Sequence, residues 1–214
     1  MSETEQFGWN ALTVSFFLTV IVTLISCYVN WRQARQIWRL KSGHVVAVPV
    51  YLYLSAARIA MICYGWQSGS LGLTLSGALS FPMTAAILVG LVMYKKFSGF
   101  ERCLAFVLAA MSGWTVWASV YLSIGVTSVA FIVWSIGFMV IASAQPLEIW
   151  RAKSAGAVTF GTVFAPTFSS AVWIAYALAL GDWVLVAVSM PIFVIAVATT
   201  VLWHRYREPG FQKT

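Results

Sequence analysis

The sequence has 214 residues, of which 61% are hydrophobic and only 9% are charged, and its net charge is +7. A soluble domain carries ~25% charged residues, so this composition excludes a water-soluble globular protein and indicates a chain that crosses a lipid bilayer. The basic excess does not indicate nucleic-acid binding, because the positive charges lie at the ends of the apolar segments.

Seven apolar stretches are each long enough to cross a membrane, which takes ~20 residues in a helix. In chain order they are Trp9–Trp31, Ala47–Gln67, Leu71–Tyr94, Leu104–Leu122, Thr127–Ala144, Val158–Leu180 and Trp183–Trp203. Trp and Tyr mark several of the ends, as is typical of a membrane interface. The sequence therefore predicts an all-α membrane protein with seven transmembrane helices.

The basic residues predict the orientation of these spans. Twelve of the thirteen Lys and Arg residues follow spans one, three, five and seven, and none lies in the N-terminal tail or in the other connections. The positive-inside rule then places the N-terminus outside and the C-terminus in the cytoplasm. No cleavable signal is evident at the acidic N-terminus. With no Asn-x-Ser/Thr sequon present, we expect a multi-pass protein of a bacterial inner (plasma) membrane.

Two segments of the chain have closely similar sequences. The segment "QARQIWRLKS" begins at Gln33 and "QPLEIWRAKS" begins at Gln145, and six of their ten positions agree. We call the separation between Gln33 and Gln145 the repeat offset. After a three-residue difference in the length of a later turn, Ser80-Phe81-Pro82 aligns with Ser189-Met190-Pro191. Chance similarity of apolar segments is the alternative, but the best matches lie in what we predict to be a polar loop. An internal repeat is therefore predicted.

The repeat predicts a 3+1+3 arrangement of the seven helices. Spans one to three form a first triple-helix repeat (9–97), and spans five to seven form a second (124–206). Span four (98–123) is a linker that restores the direction of the chain, so the two repeats run parallel, as in some transporters. Residues 207–214 are predicted to be a cytoplasmic tail.

The segment "QPLEIWRAKSAGAVTF" resembles the PQ-loop signature, which has Pro-Gln or Gln-Pro at a helix end and then a basic loop with Lys-Ser. The segment Ala171–Pro191 resembles the sixth and seventh helices of SWEET sugar transporters in its Trp, its Tyr-Ala and the Asp of its turn. This resemblance implies a transporter that moves a small polar solute, whether a sugar, an amino acid or a small organic anion, by alternating access. The same fold also serves sorting receptors, so a ligand-binding sorting receptor or accessory membrane protein is the alternative.

The resemblance also implies a substrate site. SWEETs hold the sugar with a Trp-type platform on helix six, its counterpart on helix two, and an Asn on each of helices three and seven; these positions correspond here to Trp173, Met61, Ser80 and Ser189. Counted from the nearby turns, we expect all four at a similar depth, ~12 Å along their helices. Serine replaces both Asn residues, so the paired amide donors expected for a sugar are missing. Trp173 either stacks on the solute or is an ordinary packing residue.

Arg58 is the thirteenth basic residue, and it lies inside span two. It is predicted ~16 Å from the outer turn and on the same helix face as Met61. Burying an Arg in a membrane costs at least ~2.5–3.5 kcal/mol, and no span contains an Asp or Glu to pair with it. Arg58 therefore either binds an anionic solute through its guanidinium or is bonded to backbone carbonyls or the Gln145 amide. Its repeat mate is Ser170, so the site would be asymmetric.

Prolines mark the candidate hinges. Gln145-Pro146 is predicted to close the cytoplasmic end of span five and to loosen it, because proline lacks an N–H. This pair is either a hinge or inner gate, or a simple helix stop with an interfacial anchor. Gln33 is its degenerate counterpart in the first copy, and Pro82 and Pro191 are the matching candidates in spans three and seven.

The residue types that are absent from the spans argue against several functions. Without membrane-buried carboxylates, we expect a facilitator without proton coupling. No Ser/His/acid or Cys/His set can be assembled in the membrane, so an enzyme is not expected. No metal or other cofactor is expected either. The expected partners are a small polar solute and the lipid bilayer but no nucleic acid, and a homo-oligomer is left open.

Overall fold

The computed structural model describes residues 6–41, 48–154 and 160–206. Within these ranges seven α-helices are present and no β-strand: α1 Ala11–Leu40, α2 Val48–Ser68, α3 Leu71–Tyr94, α4 Gly99–Tyr121, α5 Ile124–Ala152, α6 Phe160–Leu180 and α7 Trp183–Tyr206. Each has a segment long and apolar enough to cross a membrane, which confirms the predicted class. The predicted tail and the starts of predicted spans two and six lie outside the described residues.

Three helices extend at least five residues further than their apolar spans at the ends that carry basic residues. α1 continues past Trp31 to Leu40, and α5 continues past Ala144 to Ala152. The repeated segment is therefore largely helical in both copies, and its prediction as a polar loop was wrong. Gln, Ala, Arg and Leu favour a helix whether or not it is in lipid, so the polar extension remains helical. α4 likewise begins at Gly99, where Ser98 and Glu101 form a capping box.

The expectation that Gln145-Pro146 ends span five was also wrong. Pro146 lies inside α5, which continues for a further turn and more to Ala152. Proline removes one helical hydrogen bond but has a backbone φ that suits a helix, so neighbouring turns hold the helix through it. Gln145 is exposed and Pro146 is buried.

The described residues up to Ser135 form one compact unit, and those from Ile136 form another. In the first unit, α3 packs against both α1 and α2, and α4 packs against α2. Thr23 on α1 pairs with Ser76 on α3, and one turn later Cys27 pairs with Ser80, so α1 and α3 run in the same direction. A buried apolar cluster of Ala34, Ile37, Val48, Ile87 and Leu91 joins the basic ends of α1 and α3 to the start of α2.

In the second unit, α6 packs against α7. The Thr167 and Thr200 hydroxyls lie 2.9 Å apart across this pair. Ile149 of α5, Val163 of α6 and Trp203 of α7 form one buried cluster, which joins the basic ends of α5 and α7 to the start of α6. Each unit thus brings three helices of one predicted repeat together at the corresponding end.

The turn between α2 and α3 is built on Gly69, whose φ of 73° is left-handed. The amide of Ser70 donates to the Gly65 carbonyl at 2.8 Å, which closes the end of α2. The Ser70 hydroxyl then accepts from the Leu73 amide at 3.4 Å and caps α3. One short segment therefore ends one helix and starts the next.

The turn between α6 and α7 repeats this geometry, and Gly181 lies one repeat offset after Gly69. Gly181 has a φ of 75°. The Asp182 amide donates to the Ala177 carbonyl at 3.0 Å, and the Asp182 carboxylate accepts from the Leu185 amide at 2.9 Å. The last residue of α2 and the first residue of α3, moved by the repeat offset, are the last residue of α6 and the first residue of α7.

The α2–α3 and α6–α7 turns are equal in length, and this corrects one prediction made from the sequence. The three-residue difference in turn length that aligned Ser80 with Ser189 does not exist, because both turns have two residues and the first residues of α3 and α7 are separated by the repeat offset. Ser189 therefore lies about 4.5 Å, or three residues, nearer its turn than Ser80 does. The two serines thus lie at different distances from their turns, although three residues is close to a full turn, so each occupies a similar face of its own helix.

Candidate substrate site in the first unit

Arg58 is the middle residue of the 21-residue helix α2. At ~1.5 Å per residue it lies about 15 Å from either end of this apolar helix. Its side chain is partly buried, and the Nε atom is fully buried. Arg58 thus lies well inside the described part of α2, and its depth in a membrane stays a prediction.

The Arg58 guanidinium has weak partners for a buried cation. Its Nη1 donates to the Met61 thioether sulfur at 3.3 Å, and its Nε hydrogen has no acceptor among the residues that the structure describes. Sulfur is a poor acceptor, so this contact leaves hydrogen-bonding capacity unused. The predicted shared face of Arg58 and Met61 is confirmed.

Ser55 lies one turn before Arg58 on α2. Its side chain is buried, with 7% of its surface exposed, and its hydroxyl has no hydrogen-bond partner within the described part of the chain. Residues three apart on a helix share a face. The Ser55 hydroxyl and the Arg58 Nε, one helical turn apart in sequence, are both buried and unsatisfied within the described residues, which is costly unless a ligand completes them.

Ser80 belongs to a row of small polar side chains between α1 and α3. Its hydroxyl donates to the Ser76 carbonyl at 2.7 Å and accepts from the Cys27 thiol at 3.8 Å. One turn away, the Thr23 hydroxyl donates to the Ser76 hydroxyl at 2.9 Å. With its proton already donated, Ser80 offers a solute an acceptor rather than a donor.

Sequence reasoning assigned no role to Ser55, Thr23, Cys27 or Ser76. A signal for the last three was present: small polar residues recur every four residues as Thr19, Thr23 and Cys27 on α1, and as Ser76, Ser80 and Thr84 on α3. That spacing places each set on one helix face. All six side chains are buried.

Glycine allows α2 and α3 to approach closely beside Arg58. A Cβ atom on Gly77 would lie 2.7 Å from the Ile62 side chain and 3.1 Å from the Arg58 carbonyl oxygen. Those distances are shorter than ordinary contacts, so only glycine fits without a shift of the α2 backbone. Close packing of α3 thereby fixes the part of α2 that carries Arg58.

The second unit contains three of the predicted site residues. On α6, Ser170 is buried and donates its hydroxyl to the Pro166 carbonyl. Trp173, three residues on, is partly buried and meets Tyr176 edge to face, with ring centroids 5.8 Å apart. Ser189 on α7 is buried, with 6% of its surface exposed. Ser170 and Trp173 share a helix face, and their roles as ligands stay predictions.

The prolines proposed as hinges lie inside helices that continue through them. Pro82 is exposed within α3, and Pro191 is exposed within α7. Gln33, the counterpart of Gln145, is partly buried in α1. Each internal proline removes one backbone hydrogen bond and so provides a place where a helix can bend. Their action as hinges or gates stays a prediction.

A cavity of about 540 Å³ opens at the connection between α3 and α4, and its lining includes Tyr94, Lys95, Lys96 and Arg102. It contains none of the predicted substrate residues. Lys95 pairs there with Glu101 at 3.9 Å. In the described ranges no group of three or more His, Cys, Asp or Glu side chains could hold a metal ion.

The architecture matches a known transporter fold. The chain is similar in structure to a eukaryotic SWEET transporter solved at 3.7 Å resolution, with a TM-score of 0.79 and 17% sequence identity, over 92% of this chain and 96% of that chain. No protein-family model and no curated protein matches the sequence. The likeness establishes the SWEET fold, and with the seven apolar helices it defines an integral, multi-pass membrane protein. The resemblance inferred from the sequence is confirmed at the level of fold.

Proposed function

We propose that this protein is a transporter that moves a small polar solute across a membrane by alternating access. The observation that supports this most directly is the seven-helix fold, which is shared over 92% of the chain with a SWEET transporter. A sugar, an amino acid or a small organic anion fits the polar residues of α2, α3 and α6. The proposed location is a bacterial inner membrane, and we propose no enzymatic activity.

The proposed architecture is two parallel triple-helix repeats, 9–97 and 124–206, joined by the linker helix 98–123. The repeat is supported by the helix ends that flank the α2–α3 turn, which coincide with those that flank the α6–α7 turn when moved by the repeat offset. A second sign is that Lys41 and Lys153, which are also one repeat offset apart, are the non-glycine residues with positive φ in the described chain, at 47° and 50°. The proposed orientation, N-terminus outside and C-terminus inside, follows the basic residues.

Substrate contact is proposed for residues of both repeats. The first repeat contributes Arg58, Met61 and Ser80, and the second contributes Ser170, Trp173 and Ser189. Bending is proposed at the internal prolines and the neighbouring glutamines (Gln33, Pro82, Gln145, Pro146 and Pro191). A carrier that alternates between two openings needs such deformable points, and internal prolines supply them.

We propose that transport needs no proton gradient. Within the described helices, the acidic residues Glu101 and Glu148 lie near helix ends, in α4 and α5. A proton-coupled carrier takes up and releases its proton at an ionisable group within the membrane, typically Asp, Glu or His. A chain that has no Asp, Glu or His at mid-span is suited to facilitated transport without proton coupling.

The test is uptake of radiolabelled sugars, amino acids and organic anions into proteoliposomes of the purified protein, with equal pH on both sides. We expect one class to equilibrate faster than into empty liposomes, and adding a proton gradient should leave its rate unchanged. A rate that depends on the proton gradient would reject the facilitator. Thermal stabilisation by a solute that shows no flux would instead favour a sorting receptor on the same fold.

A further inference from the structure

We propose that the transported solute is an anion with a carboxylate or phosphate group, and that Ser55 and Arg58 of α2 hold this group at mid-span. This inference rests on the proposed transport function and narrows its substrate class. The Ser55 hydroxyl and the guanidinium form what we call the anion seat. Its geometry lies wholly within the first unit.

The first argument is charge. Arg58 lies in the middle of α2, whereas the other described Lys and Arg residues lie at helix ends or in connections. The ion pair in the described ranges joins Lys95 to Glu101 beside the α3–α4 connection, so it gives Arg58 no counter-charge. A buried charge is stable when it is paired and hydrogen-bonded. The seat therefore lacks one negative charge, which an anionic solute brings.

The second argument is hydrogen bonding. The Arg58 Nε and the Ser55 hydroxyl are both buried and both lack an acceptor in the parts of the chain that are described. Carboxylate and phosphate oxygens accept several hydrogen bonds at once, and a guanidinium fork matches their geometry. The Met61 sulfur, which now accepts from Nη1 at 3.3 Å, is a weak acceptor that a solute oxygen would readily displace.

The third argument is selectivity against neutral polyols. A bound sugar would leave the guanidinium charge of Arg58 uncompensated, and a cation would be repelled by it. An anion is the class of solute that compensates this charge.

The proposal has an electrical consequence. Arg58 belongs to the protein and does not cross the membrane, so each turnover moves the charge of the solute alone. Uniport of a monoanion is then electrogenic: an inside-negative potential opposes uptake, by about tenfold in accumulation for ~60 mV. The membrane potential would not affect the transport of a neutral solute.

The experiment compares matched solutes in proteoliposomes: glucose with gluconate, and glycerol with glycerol 3-phosphate. We expect the anionic solute of at least one pair to be transported, and its neutral counterpart to be transported at least ~10-fold more slowly. The rate of anion uptake should fall when a valinomycin-induced potassium potential makes the liposome lumen negative. Arg58→Gln should lower the anion rate about 100-fold, and Arg58→Lys should retain part of it, because the charge remains but the fork is lost. Arg32→Gln, at an exposed site on α1, is the matched charge control and should keep the wild-type rate.

A stability measurement separates ligand binding from a structural role. If the charge of Arg58 is unpaired until a solute binds, Arg58→Met should raise the apparent Tm of the solute-free protein. The reason is that a neutral side chain replaces a buried cation. A lower Tm for Arg58→Met, or equal flux of the anionic solute in wild type and Arg58→Gln, would overturn the anion seat. Absence of flux for every tested solute, neutral or anionic, would instead overturn the proposed transport function itself.

Discussion

The two three-helix regions, α1–α3 and α5–α7, match at particular backbone positions and differ in chemistry. Gly69 and Gly181 adopt the same left-handed conformation, as do Lys41 and Lys153. The helix ends that flank the α2–α3 turn recur around the α6–α7 turn at the repeat offset. At the same offset, Arg58 becomes Ser170 and Met61 becomes Trp173.

This contrast shows which positions the fold constrains. A left-handed turn needs glycine, and a helix start needs a side-chain acceptor, so those positions hold the same kind of residue in both copies. Serine and aspartate serve equally as the acceptor at Ser70 and Asp182. Positions at mid-helix carry no such requirement, and there the two copies differ in charge and size. The proposed site is therefore asymmetric in its side chains although it is proposed to lie on repeated helices.

The largest expected effect tests the chemical asymmetry. Arg58→Gln should reduce transport about 100-fold, because it removes charge-assisted hydrogen bonds of up to ~3 kcal/mol. The matched change in the other repeat, Ser170→Ala, should alter transport less than about threefold, because the Ser170 hydroxyl is bonded within its own helix. Initial uptake rates in proteoliposomes measure both. Equal losses would show that the two repeats contribute symmetrically.

The next effect tests the close approach of α2 and α3. Gly77→Val should lower the free energy of unfolding by about 1–3 kcal/mol, because the new side chain overlaps Ile62 and the Arg58 carbonyl. Gly113→Val on α4 is the control, since a Cβ there meets no atom within 4 Å. Thermal unfolding in detergent measures the difference. A Gly77→Val protein as stable as the Gly113→Val protein would argue against the tight α2–α3 contact.

A smaller effect should appear equally in both repeats. Gly69→Ala and Gly181→Ala each place a Cβ on a residue with positive φ, at a cost of about 1 kcal/mol. Both positions have open space around the added atom, so the cost is conformational. The two variants should show the same fall in apparent Tm. A fall in one alone would break the proposed equivalence of the turns.

The smallest effect concerns the tryptophans of the repeated segment, Trp38 and Trp150. Trp38 donates its indole N–H to the Ala86 carbonyl at 3.1 Å, so Trp38→Phe should cost about 0.5–1.5 kcal/mol. Trp150 faces the Lys153 ammonium, 4.6 Å from its ring centroid, and an exposed contact of this kind contributes ~0.5 kcal/mol or more. Trp150→Phe should therefore shift the Tm less than Trp38→Phe, and the reverse order would contradict these assignments.

Hydropathy predicted the number of helices because a membrane span is a local property of composition. It matched Leu71–Tyr94 residue for residue. It missed the basic extensions of α1 and α5, since it detects lipid contact rather than helix formation. The capping box at Ser98 and Glu101 was a readable signal for the early start of α4.

The sequence predicted only those features of the candidate site that depend on a single helix. Arg58 and Met61 share a face because they are three residues apart, which needs no tertiary information. The contacts of Ser80 with Cys27 depend on the register between α1 and α3, which one sequence does not reveal. The turn lengths were misread because Ser-x-Pro occurs at 80–82 and 189–191, one helical turn out of structural register.

The short turn at Gly69 has a consequence for biogenesis. Only two residues, Gly69 and Ser70, separate α2 from α3. This connection is too short for α2 to insert into the bilayer while α3 stays outside it. We expect the two helices to enter the bilayer together as a hairpin. α2 is among the least apolar of the seven spans and carries Arg58, whereas α3 is more apolar. The insertion cost of the charge is thus shared with a neighbour that enters lipid readily.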